Sequence, residues 1–406
     1  MSSANTGPDL IYPFDRACPF EVPEHFDSLR DERTMSQVSM LGGNRAWIAT
    51  RYEHVRQVLA DPRLSVDRRR PGFPRFAPVA DDDSKAPEPG FRTPMNWLDP
   101  PEHGRVRGAV VAEFTLAKTN ALKDQVTSTV TRCIDQMTAG PKPADIVRDL
   151  AVPVPSLVMC EILGIPADGR DHFEQRTKRM FGRGHSTNER SAAGRAIRAY
   201  LEEVVARKLD EPGHDLLSRL IARHRRSGSV DQEEIVSTAF VLLVAGHSTV
   251  ASLIGLGTLA LLTNQTLRRS LAANPGLIEA AVEEFLRFFS VVEAATSRTA
   301  LEDIEICGVR VKAGDGIVAA GLAANRDPEA FPRPDEIDLD RTGRAHVAFG
   351  YGRHQCIGQH LARLELNIVF EQLIRRLPGL RLAVPANQVR ACEGNIYGLE
   401  ELPVTW

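Results

Sequence analysis

Apolar residues recur three and four positions apart through most of the first 300 residues. The stretches 53–63 ("EHVRQVLADPR"), 117–140 and 194–213 ("GRAIRAYLEEVVARKLDEPG") follow that spacing, which predicts amphipathic helices. The longest helix is expected over 231–262. It opens on the acidic "DQEE" and stays apolar through "LLVAGHSTVASLIGLGTLALL". Apolarity on every side marks a helix buried in the middle of a large domain. Strand patterns are few: "RAWIATR" at 45–51 alternates, "IEICGVRVKAGDGIVAAG" at 304–321 reads as paired short strands around turns, and the final "NIYGLEELPVTW" adds another. The pattern predicts a mainly α fold with a small β subdomain. Without repeats or a dividing linker, residues 1–406 read as a single domain. The proline-rich 70–94 is expected to be a functional lid or binding loop.

Composition narrows the partners. The chain is 43% hydrophobic and 25% charged, enough for a large core. A net charge of −3, with no basic run beyond "DRRR" at 67–70, argues against nucleic acid or an anionic membrane. The longest apolar run, 239–246, falls far short of the ~20 residues of a membrane span. With no apolar leader either, a cytoplasmic location is expected. The six cysteines lie far apart with no CxxC pair, so neither a disulfide framework nor structural zinc is expected.

One cysteine stands out. In "FGYGRHQCIG", 349–358, Cys356 sits among glycines and just before an amphipathic helix that begins after Gly358. A nucleophile would need a base, for which only His354 is at hand, and zinc would need three further ligands. A buried inert thiol is the usual fate of a lone cysteine. Glycines that let the backbone approach a flat object, and a helix start that favours a thiolate, suit an axial ligand of haem iron.

Phe349, Gly352, Cys356 and Gly358 together resemble the Phe-x-x-Gly-x-x-x-Cys-x-Gly signature of the cytochrome P450 family, with "HLAR" continuing it. "EEFLR" at 283–287 matches the family's Glu-x-x-Arg, as Glu284 and Arg287, three residues apart on one helix face. "DPPEHGRVRGAVVAEFT" at 99–115 matches a third family stretch. The resemblance runs from "CPF" near residue 18 to the terminal "ELPVTW" and is nearest the bacterial enzymes of secondary metabolism. It implies a P450 fold, a long central helix over a buried haem b, and Cys356 as the metal ligand. It further implies cofactor contacts from Phe349, Gly350 and Gly358, with His103 and Arg107 at one propionate and Arg298 and His354 at the other. Glu284 and Arg287 are implied as the buried structural pair.

Across the haem the family carries Ala-Gly-x-(Asp/Glu)-Thr at a kink of the central helix. Here the stretch reads Ala245, Gly246, His247, Ser248, Thr249. The resemblance makes Ala245, Gly246, Ser248 and Thr249 the catalytic stretch, with Gly246 admitting the helix close to the haem and Thr249 opening its ladder. Ser248 replaces the usual acid, and a hydroxyl does not relay protons as a carboxylate does. The implied activity is monooxygenation, a hydroxylation or epoxidation of a polyketide or macrolide, a terpenoid or a peptide. Two alternatives stand beside it: a nitric-oxide-reductase-like P450 fed directly by NADH, and a haem-binding member with weak or no turnover. Val292 and Ile396 fall where the first alternative has its polar proton channel.

The resemblance places pocket walls at 72–97, 173–190, 239–246, 291–296 and 395–398. Val292, Ala295, Thr296 and Ile396 are the expected lining, with Glu293, Thr296 and Asn395 as polar anchors. A ferredoxin and its reductase are the implied electron donors, docking near Arg105, Arg353 and Arg363. The expected state is a monomer.

Overall fold

The computed structural model describes the chain except residues 1–9, 17, 33, 77–91, 167–168, 170–172, 174, 178, 181–185, 229, 293–295, 344 and 393–395. Most of the proline-rich loop, part of the 173–190 wall, and Glu293, Ala295 and Asn395 thus lie outside the described residues.

The axis is the helix Gln232–Thr263, the central helix. Asp231 caps it, its side chain accepting the Glu234 amide (3.0 Å), and Glu233 and Glu234 complement the positive end. Asn264 ends it and caps the following helix Gln265–Ala273 by accepting the Leu267 amide (3.0 Å). One junction thus turns the chain sharply. This is the one helix among the described residues long and apolar enough to cross a membrane. It serves instead as the core, packed by the helices Pro153–Leu163, Thr187–Asp210, Ile278–Phe289 and Gln359–Arg376. The second of these starts on a capping box: Ser186 Oγ accepts the Glu189 amide, and Glu189 accepts the Ser186 amide (2.7 Å).

In chain order the strands begin β1 Ile11–Tyr12, β2 Ser36–Met40, β3 Arg45–Ala49, β4 Leu64–Ser65, β5 Ala144–Asp145, β6 Ser297–Ala300, β7 Ile304–Ile306, β8 Val309–Val311 and β9 Gly316–Ala319, and a six-stranded sheet runs in the order β1-β2-β3-β9-β6-β4. The 304–321 stretch is not one paired unit. Ile304–Ile306 and Val309–Val311 form a hairpin, but β9 leaves it to lie parallel to β3 and antiparallel to β6. Both faces of β9 are buried, a placement better served by those long-range neighbours than by an exposed third hairpin strand. The terminal Pro403–Thr405 pairs between Arg381–Leu382 and Ala144–Asp145.

Candidate functional site

The helix Ile278–Phe289 buries the Glu284–Arg287 pair almost completely, at 6% and 1% side-chain exposure. Glu284 accepts Arg287 Nε (2.7 Å) and Nη2 (2.9 Å), the Asp338 amide (2.9 Å) and Arg341 Nε (3.0 Å). Burial alone would push its carboxyl up; the Arg287 bonds and those from Asp338 and Arg341 outweigh it and hold the pKa below the ordinary value. Arg287 also donates to the carbonyls of Asn325 (3.0 Å), Pro334 (2.8 Å) and Glu336 (2.8 Å). Asn325 passes the order on: its Oδ1 accepts the Val347 amide (2.8 Å), and Val347 O accepts the Gly350 amide (2.8 Å). One ion pair therefore supports the irregular stretch leading into the cysteine loop.

The loop is folded tightly. Gly350 and Gly352 take φ of +71° and +74°. A Cβ on Gly352 would also stand 2.9 Å from the Leu59 carbonyl oxygen. The Cys356 amide donates to Phe349 O (2.8 Å), and the helix Gln359–Arg376 begins at once after Gly358. Cys356 is closely surrounded by protein, yet the residue remains accessible. Burial pushes its thiol pKa up, opposed by the Gly358 amide, Arg107 and Arg363. The helix start and nearby cations thus do not by themselves make the thiolate expected from the sequence. A coordinated metal ion would, since a ligating thiol is deprotonated outright.

Four of the expected contacts converge beside the loop. The rings of His103 and His354 lie 4.0 Å apart, and Arg107 Nη2 donates to Gln355 O (2.5 Å). Arg298 is buried and, among the described residues, donates only to the adjacent Ser297 O (2.8 Å). Burial lowers both imidazoles, His103 to about 4 and His354 to about 3, and the neighbouring cations add to it. It also lowers Arg298, to about 10. Among the described residues no carboxylate forms an ion pair with Arg107 or Arg298. An accessible thiol, with two arginines and two uncharged imidazoles beside it, fits an iron porphyrin bearing two propionates.

The central helix leaves part of its surface open. Ala245 is exposed in the middle of this otherwise buried helix, and Val241, Val244, Ser248, Thr249 and Ser252 are partly accessible. Their spacing of three and four residues makes one open stripe. Gly246 is not on it. Its bare α-carbon faces the Pro153–Leu163 helix, where an added Cβ would stand 2.9 Å from Met159 Sδ. Close packing of these two helices requires this glycine. Nor is the ladder opened. The central helix is helical throughout, and Thr249 Oγ1 and Ser248 Oγ donate to the carbonyls of Ala245 (3.0 Å) and Val244 (3.4 Å).

Val292 and Ile396 meet as an isolated β-bridge, both partly buried. Thr296, four positions after Val292, is partly buried, its carbonyl accepting the Ala319 amide (3.3 Å). Two of the three docking arginines are committed within the chain. Arg105 donates to Glu234 (2.9 Å), and Arg363 donates to Glu283 (3.0 Å) with its guanidinium 4.5 Å from the Phe349 ring centre. His346 also bonds Glu283 (3.2 Å). Sequence reasoning missed Glu283, although it stands next to Glu284. It missed Arg68 as well, whose guanidinium lies 4.7 Å from the Trp97 ring centre.

Residues 276–378 match the family model described as Cytochrome P450. Over 402 residues the chain is 42% identical to pentalenic acid synthase of Streptomyces avermitilis, covering 98% of this chain and 97% of that one. It is 37% identical to the 20-oxo-5-O-mycaminosyltylactone 23-monooxygenase of Streptomyces fradiae, covering 98% and 92%. Among solved structures it resembles cytochrome P450 MoxA of Nonomuraea recticatena, with TM-score 0.91, 44% identity and 98% of each chain covered. It also resembles the mycinamicin VIII C21 methyl hydroxylase MycCI of Micromonospora griseorubida, with TM-score 0.89, 34% identity, and 98% and 100% covered.

Proposed function

The chain belongs to the cytochrome P450 family and is a haem-thiolate monooxygenase, and from that premise we propose that it oxygenates a secondary metabolite of the macrolide or terpenoid kind. The relatives named for such reactions motivate the substrate class. The observation that carries the reading is the accessible thiol of Cys356 deep in the protein beside a carboxylate-ready cationic cluster.

Haem b would be held through Cys356 and would supply dioxygen activation. The residues of the chain do the rest. With haem bound, His103 and Arg107 would hold one propionate, and Arg298 and His354 the other. Phe349 and the glycines shape the thiolate side. Ala245, Val241 and Val244 give the substrate an apolar wall that keeps bulk water out. Thr249 Oγ1 holds a proton that its bond to the Ala245 carbonyl keeps in place. To hand that proton into the cavity the hydroxyl rotates off this carbonyl, and Ser248 Oγ, on a longer 3.4 Å bond, is the easier of the two to release. Val292, Thr296 and Ile396 complete the pocket. The Val292–Ile396 backbone bridge sets two apolar residues where the nitric-oxide-reductase alternative needs polar ones, which disfavours that alternative. A ferredoxin and its reductase are the electron donors we propose, acting on a cytoplasmic monomer. With Arg105 and Arg363 engaged elsewhere, Arg353 remains of the docking trio.

The test is the reduced carbon-monoxide difference spectrum. A thiolate-type Soret band is expected and should vanish in Cys356→Ser. With surrogate ferredoxin and reductase, oxygenated product should form from a macrolide or sesquiterpene panel. Rapid reaction of the ferric–nitric oxide protein with NADH alone would overturn the assignment.

A further inference from the structure

The "DRRR" run separates into three different environments. Arg69 pairs with Asp67 at the surface (2.8 Å), and Arg70 Nε donates to Ser65 Oγ (2.9 Å). Arg68 instead turns inward and lies on the Trp97 ring at 4.7 Å. Its location is fixed by three elements. Ser65, just before the run, pairs with Thr299, next to Arg298. The Met95–Trp97 turn packs against both the central helix and the helix Glu102–Val110 that carries His103 and Arg107. The guanidinium therefore stands where the cationic cluster meets the substrate wall. Nearby acids are already committed: Asp67 to Arg69, and Asp99 to Ser65 Oγ and the Val66 amide (3.0 Å). Among the described residues Arg68 has no acidic partner, and Trp97 Nε1 beside it is buried without an acceptor. Burial holds Arg68 down to about 10, the mark of a cation largely removed from water.

A desolvated guanidinium resting on an indole face is positioned to receive an anion in two parallel hydrogen bonds. The two propionates of a haem already have His103 with Arg107 and Arg298 with His354. Arg68 is surplus to that set. We propose that Arg68, backed by Trp97, forms a subsite for a carboxylate carried by the substrate. This rests on the monooxygenase reading above and narrows its substrate class to acid-bearing natural products.

The haem-loaded protein would be titrated by Soret shift and by equilibrium dialysis with two acids, dodecanoate and abietate, each beside its methyl ester. At least one acid is expected to bind about tenfold or more tightly than its ester. Arg68→Gln should erase that preference, while Arg69→Gln, changed at the surface, should keep it. Equal binding of acid and ester for both pairs, or a preference that survives Arg68→Gln, would overturn the subsite. Loss of haem from Arg68→Gln would also overturn it, by assigning Arg68 to a propionate. The parent reading fails separately, by absence of the thiolate-type carbon-monoxide band in the unaltered protein.

Discussion

Replacing Glu284 by Gln removes one charge and leaves the shape. In the native arrangement its carboxylate accepts four hydrogen bonds, two of them from Arg287, which is 1% exposed. A glutamine retains one acceptor oxygen and turns an amide donor toward a guanidinium donor. Removing one partner of a buried pair costs about 3–5 kcal/mol because the other charge stays buried uncompensated. Arg287 keeps three carbonyl acceptors, which places the loss at the lower end, about 3 kcal/mol. With roughly 2.1 cal/mol/K of unfolding entropy per residue, 406 residues give about 0.85 kcal/mol/K, so the midpoint should fall by about 3.5 °C. The assay is thermal unfolding of the haem-loaded protein by circular dichroism and by the Soret band. Glu279→Gln, at an exposed position of the same helix, serves as the comparison and should fall within about 0.5 kcal/mol of the parent. Equal shifts in the two variants would refute the idea that this pair organises the approach to the cysteine loop.

Other outcomes follow from the same geometry. Gly352→Ala puts a side chain at φ +74° and 2.9 Å from Leu59 O, so the haem-to-protein ratio from a pyridine haemochrome assay should drop severalfold. Glu283 is held down to about 2, where bonds from His346 and Arg363 outweigh the upward push of burial. Its contribution to stability is thus complete above the ordinary carboxylate value and lost as pH falls toward 2. The denaturation-midpoint gap between the parent and Glu283→Gln should close over that acid range and persist at neutral pH. Thr249→Ala should lower product formed per NADPH consumed and raise hydrogen peroxide, whereas Ser248→Glu should improve coupling. Unchanged coupling in both would remove these hydroxyls from proton handling.

Local features were readable where local chemistry decides the structure. The periodicity over 231–262 gave the central helix to within a residue at each end, because an acid cap and an asparagine close it. The cysteine loop and the Glu284–Arg287 spacing were equally plain, since glycine conformation and an i,i+3 pair are properties of a few adjacent residues. What escaped depends on partners far along the chain. Nothing within 304–321 tells β9 to join β3 from residues 45–49. The open stripe of the central helix could not be separated from its packed sides, because every side is apolar. The sequence therefore does not show that a side chain at Gly246 would meet Met159. Arg105 and Arg363 likewise read as free surface charge, though their acids lie 129 and 80 positions away.

The central helix also carries a burden before the fold exists. Its 32 residues meet the length and apolarity of a bilayer span, and only tertiary packing hides them. The helix Gln359–Arg376, one of its covers, lies about a hundred residues later in the chain. At a synthesis rate of about 5–20 residues per second, part of that surface waits seconds for its partner. Chaperone supply during expression should therefore govern yield. A fragment truncated before Gln359 should be captured by holdases or membranes rather than accumulate free.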